Sequence, residues 1–257
     1  MVFMDERTKK EIYIENLNKI KKINPKLSIY RAEKLSEQIS CTNIVHNKED
    51  IKHWIKERKS TFQSSVKEIP INKTKGWQYD SEGNLNHSSG KFFSIVGVRV
   101  GSNANREIGS KGWDQPIVKE FNYKGGLLGL VRTKIDDLPH YLVQARFEPG
   151  NYGLIQLGPT LQATFSNFNQ EHGGRKPYYS EFFNDYEDKK NYLFNNWLAE
   201  DGGKFLKKRN LGLVKNVEYK DIEIINDDFM WLSFFQIVEF IDSNSLVNPH
   251  LSRLIYF

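Results

Sequence analysis

The sequence is poor in cysteine, with one residue, Cys41, in 257. A single thiol closes no internal disulfide, and without a CxxC pair or a Cys/His cluster there is no zinc-ligand spacing. The cell interior is therefore the expected setting, and a cytoplasmic protein the expectation. Long apolar runs are also missing. The most apolar stretch, Phe229 to Ile241, is about one core helix long, is broken by Ser, Gln and Glu, and falls well short of a membrane span. Met1 to Lys10 is charged and leads into no apolar segment, so neither a signal peptide nor an anchor is expected. No GxGxxG and no P-loop occurs, which leaves Rossmann dinucleotide binding and classical ATP binding unsupported. No Gly-x-Ser-x-Gly elbow and no HExxH is present, and Ser166 has no recognisable base beside it. Hydrolysis by a serine nucleophile or a zinc site is thus unsupported.

Positive charge is in modest excess, 37 Lys and Arg against 32 Asp and Glu, a formal +5. The lysines are mostly scattered beside acids, which reads as solvation. The excess also suits phosphorylated ligands, and it is the sole argument for a nucleic-acid-binding domain.

The first 60 residues have helical character. Glu11 to Lys22 carries Ile12, Leu17 and Ile20 among charges and stops before Pro25. A second segment spans roughly Ser28 to Ile39. In a third, Asn47 caps with Asp50 three positions on, and Ile51, Trp54 and Ile55 share one side. Near Val66 the character changes to short β-forming runs punctuated by Gly, Asn and Pro: Phe92 to Val100, Leu127 to Thr133, Tyr141 to Phe147 and Tyr152 to Leu157. Their spacing from Leu127 to Leu157 predicts an antiparallel meander. Along the third run, Leu142, Gln144 and Arg146 alternate with Tyr141, Val143, Ala145 and Phe147, so Arg146 can avoid the apolar layer. Further on, helix is expected around Tyr186 to Ala199, a turn at Asp201-Gly202-Gly203, and a helix beginning after residues 226–228 that buries Trp231, Phe234, Phe235, Val238 and Ile241. The apolar C-terminus, Leu254 to Phe257, is expected to dock. The organisation predicted is an N-terminal helical segment, 1–65, followed by an α+β domain, 66–257.

Glu148 to Tyr179 is the informative region, rich in Gln, Asn, Thr, Arg and Tyr. Gly173-Gly174 beside Arg175 and Lys176 could offer backbone N–H groups and two cations to a pyrophosphate, or the two cations are simply solvated. Gln156, Gln162 and Asn167 either meet a ligand or satisfy loop backbone. Glu148, just before Pro149-Gly150, either receives local N–H bonds or touches substrate. His140 and His172 read as structural or exposed, and Tyr152, Tyr178 and Tyr179 as acids, sugar ligands or packing groups. The residues alone describe a polar site suited to a sugar or nucleotide.

The run Gln144-Ala145-Arg146-Phe147-Glu148-Pro149-Gly150-Asn151, followed by Gln156-Leu157-Gly158-Pro159-Thr160-Leu161-Gln162-Ala163-Thr164 and Ser166-Asn167-Phe168, resembles the composite motif of the NDP-hexose 2,3-dehydratase family. Further similarity lies in His87 to Phe93, Val96 to Val100, Trp113 to Ile117, Asp201 to Phe205, Trp231 to Gln236, and Val247-Asn248 with Arg253. The resemblance covers roughly Val66 to Ile255. Gly158 stands where the family tends to have Ser, and Lys204 where Arg is usual. The family usually carries two copies of this domain in one chain, with a Nudix-like fold. This single copy therefore implies a homodimer.

The resemblance implies dTDP-4-keto-6-deoxy-D-glucose as substrate and no redox or metal cofactor. The C4 ketone acidifies the C3 proton, so a general base can start the reaction and a general acid can help the C2 hydroxyl leave. Chemistry laid over these positions makes Glu148 the first candidate base, His172 the second, and Tyr152 or Tyr178 the acid. Arg146, Arg175 and Lys176 are candidates for the diphosphate. Asn151, Gln156, Thr160, Gln162, Thr164 and Asn167 are candidates for the sugar and the base. Two other readings stay open: a 4-keto-sugar isomerase or epimerase, which shares the first proton loss, and a non-catalytic nucleotide-sugar binding subunit.

Overall fold

The computed structural model describes residues 6–42, 45–63, 65–101, 112–120, 125–171, 174–243 and 245–256. Three helices open the chain: α1 (Glu6–Ile23), α2 (Ile29–Ile39) and α3 (Lys48–Thr61). Their starts are encoded locally. Ser28 accepts from the Arg31 N–H, and Asn47 and Asp50 form a reciprocal capping box. A four-stranded antiparallel sheet follows, in the order β1 (Trp77–Tyr79), β2 (Leu85–His87), β3 (Ser94–Val100) and β4 (Trp113–Lys119).

The central sheet has seven strands: β5 (Gly126–Ile135), β6 (Leu138–Phe147), β7 (Ile155–Gly158), β8 (Leu161–Thr164), β9 (Phe194–Ala199), β10 (Arg209–Asn216) and β11 (Phe229–Leu232). The short helix α4 (Phe165–Phe168) follows β8, and α5 (Phe234–Ile241) and α6 (Pro249–Ile255) close the chain. The α+β class expected from the sequence is what is found. One face of the sheet packs on α3, α5 and α6 through Ile51, Trp54, Ile237 and Leu251. The other face is covered by the segments around Phe165, Phe183 and Ile222. There the Phe183 ring lies so close to Gly129 that a Cβ would come within 2.5 Å of it, so only glycine lets the ring reach the sheet.

Three expectations are corrected. Phe194–Ala199 is strand, not helix, because pairing with β10 satisfies its backbone at the sheet edge, from Phe194 opposite Val214 to Ala199 opposite Arg209. Phe229–Leu232 is also strand, because the outer edge of β6 pairs with it, and helix begins only after Ser233, the N-cap that forms a capping box with Gln236. Phe235 is consequently exposed, while Gln236 and Phe240 turn inward. Finally, the meander runs β5, β6, β7 and then breaks, since β8 returns to pair with β5.

That return creates the site. The β5–β6 hairpin is paired only from Val131 opposite Leu142 to Ile135 opposite Leu138. Beyond Val131 the two strands part, and the consecutive strands β7 and β8 take up the edges they leave, β7 on β6 and β8 on β5. Thr160, between them and 2% exposed, stands where the ladder splits. Its hydroxyl accepts from the Val131 N–H at 2.9 Å and donates to the Leu142 carbonyl, replacing the rung those strands no longer make.

The N-terminal helices are tied to the sheet by buried charge. Arg132 of β5 bonds Glu33 at 2.8 Å and Glu37 at 3.3 Å, and the Tyr141 hydroxyl donates to Glu37 at 2.8 Å. Lys34 donates to Tyr141 and lies over the Phe234 ring; burial lowers its pKa to about 8. Such groups persist in an apolar layer because each charge has partners, and removing one would strand the others.

Replacing Thr160 by Val leaves two buried backbone groups unpaired. Urea unfolding should register a loss of about 2–4 kcal/mol, against about 1 kcal/mol for Thr160→Ser, which removes only a methyl. A valine variant as stable as the parent would show that the split does not depend on the hydroxyl.

Candidate active site

The parting of β5 and β6 leaves a cleft of about 370 Å³ on the sheet face opposite α5 and α6. The alternation of β6 brings Gln144 and Arg146 to it. β8 adds Gln162, α4 adds Asn167, and the segment after Gly174 adds Arg175 and Tyr178, with Phe229 of β11 below.

A chain of hydrogen bonds with a forced direction runs beside this cleft. Asn248, the N-cap of α6 and 4% exposed, accepts the Leu251 N–H on Oδ1 at 2.8 Å, so its Nδ2 must be the donor to Gln162 Oε1 at 3.2 Å. Gln162 then has only Nε2 to offer onward, and it donates to Glu148 Oε1 at 3.3 Å. The backbone N–H at one end and the carboxylate at the other assign the amide orientations. Arg146 Nε donates to the same carboxylate oxygen at 2.7 Å, and its Nη1 to Gln144 Oε1 at 3.2 Å. Glu148 Oε1 thus takes two donors, while Oε2 has no hydrogen bond among the described residues. Gly158, opposite Gln144, packs closely under these groups: a Cβ there would stand 3.3 Å from the Arg146 side chain and 3.1 Å from Asn248.

Of the sequence candidates, Arg146, Thr160, Gln162, Asn167, Arg175 and Tyr178 line this cleft. Thr160 does so with its hydroxyl already committed to the backbone. Arg175 Nη1 donates to the Tyr178 hydroxyl at 3.3 Å, and both residues are exposed at the lip. Lys176 turns away to Asn184 and the Phe168 ring. Gln156 is buried with its amide on the Ser245 carbonyl, and Asn151 holds the turn after Glu148 through the Arg146 and Leu154 carbonyls. Tyr152 is 78% exposed and outside the cleft. Thr164 caps α4. His172 and Gly173 lie outside the described residues. His140 is buried, with Nδ1 against the Leu138 carbonyl, and burial lowers its pKa to about 4. Among the described residues no three His, Cys, Asp or Glu side chains gather as metal ligands would.

Two parts of this architecture escape sequence reading. Asn248 and Gln162 are 86 positions apart, and nothing local announces their contact. A second cleft, of about 840 Å³, adjoins the first at Asn167 and is bordered by Phe92, Phe93, Phe205, Glu120 and Lys208, with Pro149 and Gly150 at its rim. Glu148 itself lines neither cleft; its neighbours do, Arg146 the first and Pro149 and Gly150 the second. Adjacent aromatics at Phe92-Phe93 were the available signal for this wall.

Residues 48–256 match the sequence model of the family described as NDP-hexose 2,3-dehydratase. Among curated proteins, the chain is 35% identical over 208 residues to a dTDP-4-dehydro-6-deoxy-alpha-D-glucopyranose 2,3-dehydratase of Amycolatopsis orientalis, covering 78% of this chain and 42% of that one. Proteins with the same name from Saccharopolyspora spinosa and Streptomyces violaceoruber are 32% and 34% identical over 196 residues. Each match covers 76% of this chain and 39% and 43% of the relative, respectively. The match spans about two-fifths of each relative's length. The helices α1 and α2 precede the matched region.

Asn248 is where this network can be tested by stability. Asn248→Leu removes both the cap and the donor to Gln162 and should cost about 2 kcal/mol in chemical denaturation. Asn248→Asp keeps the cap and should cost less. Equal losses would mean that capping is not what Asn248 contributes.

Proposed function

The chain belongs to the NDP-hexose 2,3-dehydratase family, and from that premise we propose that it removes water across C2 and C3 of an NDP-4-keto-6-deoxyhexose in deoxysugar biosynthesis. dTDP-4-keto-6-deoxyglucose is the substrate class to test, since the relatives are named for the 4-dehydro form of that sugar nucleotide. The observation that carries the reading is Glu148: one carboxylate oxygen is held by Arg146 and Gln162 and the other has no hydrogen bond among the described residues, and Arg146 and Gln162 line a cleft of amides and guanidinium groups.

In this reading the unengaged oxygen of Glu148 takes the C3 proton, made acidic by the C4 ketone. Tyr178 is the acid. Its oxygen accepts from Arg175, so its own proton remains available to the ketone or to the departing C2 hydroxyl. Loss of the C3 proton and the C2 hydroxyl as water leaves an enol, which collapses to a 3,4-diketo-2,6-dideoxyhexose. Arg175 at the lip is the first candidate for the diphosphate, with Arg146 behind it. Asn167 and Gln144 meet the sugar hydroxyls. The chemistry assigned to these residues involves neither metal nor redox cofactor.

A chain spanning two-fifths of its relatives is proposed to act as a homodimer. The same length difference favours, as a second reading, a nucleotide-sugar binding subunit without turnover. A cytoplasmic location is part of the proposal; among the described residues no helix is long and apolar enough to cross a membrane.

Incubation with dTDP-4-keto-6-deoxyglucose in heavy water, followed by NMR and mass analysis, should show loss of water and deoxygenation at C2. Light scattering of the same preparation should give the mass of two chains. Glu148→Gln should lower turnover by about 100-fold or more while dTDP still binds. Near-normal turnover in that variant removes Glu148 as the base, and binding without exchange at C3 in the parent supports the binding-subunit reading instead.

A further inference from the structure

We infer that Tyr179 is a positioning residue, whose strained backbone and buried hydroxyl tie two segments of the cleft wall together and so hold Tyr178 over the site. This rests on the reading of Tyr178 as the acid and adds what aims it.

Tyr179 has φ +60° and ψ +10°, in the left-handed region. The Ser180 N–H bonds back to the Pro177 carbonyl at 3.3 Å, so residues 177–180 form a tight turn with Tyr179 in third place. Turns with positive φ at the third residue are ordinarily built with glycine or asparagine there, because a Cβ crowds the following carbonyl. A tyrosine persists in that conformation only where its surroundings over-determine it, and residues held in this way gather at functional sites.

The side chain supplies the constraint. Tyr179 is 1% exposed. Its hydroxyl donates to the Glu223 carbonyl at 2.9 Å and accepts the Ile225 N–H at 2.9 Å. One phenol oxygen thus fastens the turn to the stretch that leads into β11. The ring meets Phe229, the first residue of β11, edge-on at 4.8 Å. Glycine would relieve the backbone but could make neither contact.

What the tie holds in place is the preceding residue. Pro177, Tyr178 and Phe229 all line the polar cleft. The Tyr178 ring also stands edge-on to Phe229, at 6.2 Å and 88°. Consecutive tyrosines therefore address one phenylalanine, Tyr178 from the open lip and Tyr179 from the core. Pro177 restricts the backbone on one side of Tyr178, and Tyr179 fixes it on the other. An acid must sit within hydrogen-bond reach of the atom it protonates, and a displacement of about 1 Å can cost about 100-fold in rate. A tyrosine at an open lip meets that demand only if its backbone is held.

Steady-state kinetics with dTDP-4-keto-6-deoxyglucose, run as a double-mutant cycle, test the assignment. Tyr179→Phe keeps the ring and removes both hydrogen bonds. It should lower kcat about tenfold or more, while KM and dTDP affinity stay near those of the parent. Tyr178→Phe should lower kcat by about 100-fold, and adding Tyr179→Phe to it should cost nothing further, because no phenol is left to aim. If Tyr179→Phe turns over like the parent, or slows the Tyr178→Phe enzyme by the same factor as it slows the parent, Tyr179 does not act through Tyr178 and this inference alone fails. If Tyr178→Phe keeps the parental kcat, Tyr178 is not the acid, and that reading falls together with this one.

Discussion

The β7–β8 segment enters the central sheet where the Thr160 hydroxyl stands in for a missing rung, accepting from Val131 and donating to Leu142 as β5 and β6 part. A hydroxyl is small enough for the crevice and is both donor and acceptor, and valine of nearly the same shape is neither. The strands beyond that point diverge, so Arg146 on β6 and Gln162 on β8 face one another across space instead of across a ladder. The cleft is the geometric consequence of that divergence.

Within the cleft, polarity is transmitted outward from backbone. The helix cap at Asn248 dictates which end of its amide faces Gln162, and Gln162 in turn presents only N–H to Glu148. Arg146 reinforces the same oxygen. Among the described residues only one oxygen of this carboxylate is held, an asymmetry that suits the proton-accepting role proposed for it. This pre-organisation needs α6, which is why a helix 86 residues downstream of Gln162 belongs to the site.

The buried charge under α2 does a different job. Arg132 and Tyr141 belong to the strands that form the paired half of the β5–β6 hairpin, and Glu33 and Glu37 clamp them from above. The clamp holds the Arg132–Tyr141 pair, one step from the last pair at Val131 and Leu142, so it braces the ladder next to the point where the strands part. The helix that supplies it, α2, precedes the region matched to the family.

What the sequence determined by itself is local: the caps at Ser28 and Asn47, the alternation that puts Gln144 and Arg146 on one face of β6, the β-rich centre, and the long motif that marks the family. Each depends on residues within a few positions of one another, where sterics and hydrogen bonding act before any fold exists. The return of β8 to β5, the strand at Phe229–Leu232, the strand at Phe194–Ala199 and the contact of Asn248 with Gln162 were decided only by the tertiary structure. Short apolar segments such as these satisfy helix and strand patterns alike. The choice falls to whichever distant edge can pair their backbone and bury their side chains, a free energy that belongs to the assembled sheet and to no single stretch of chain.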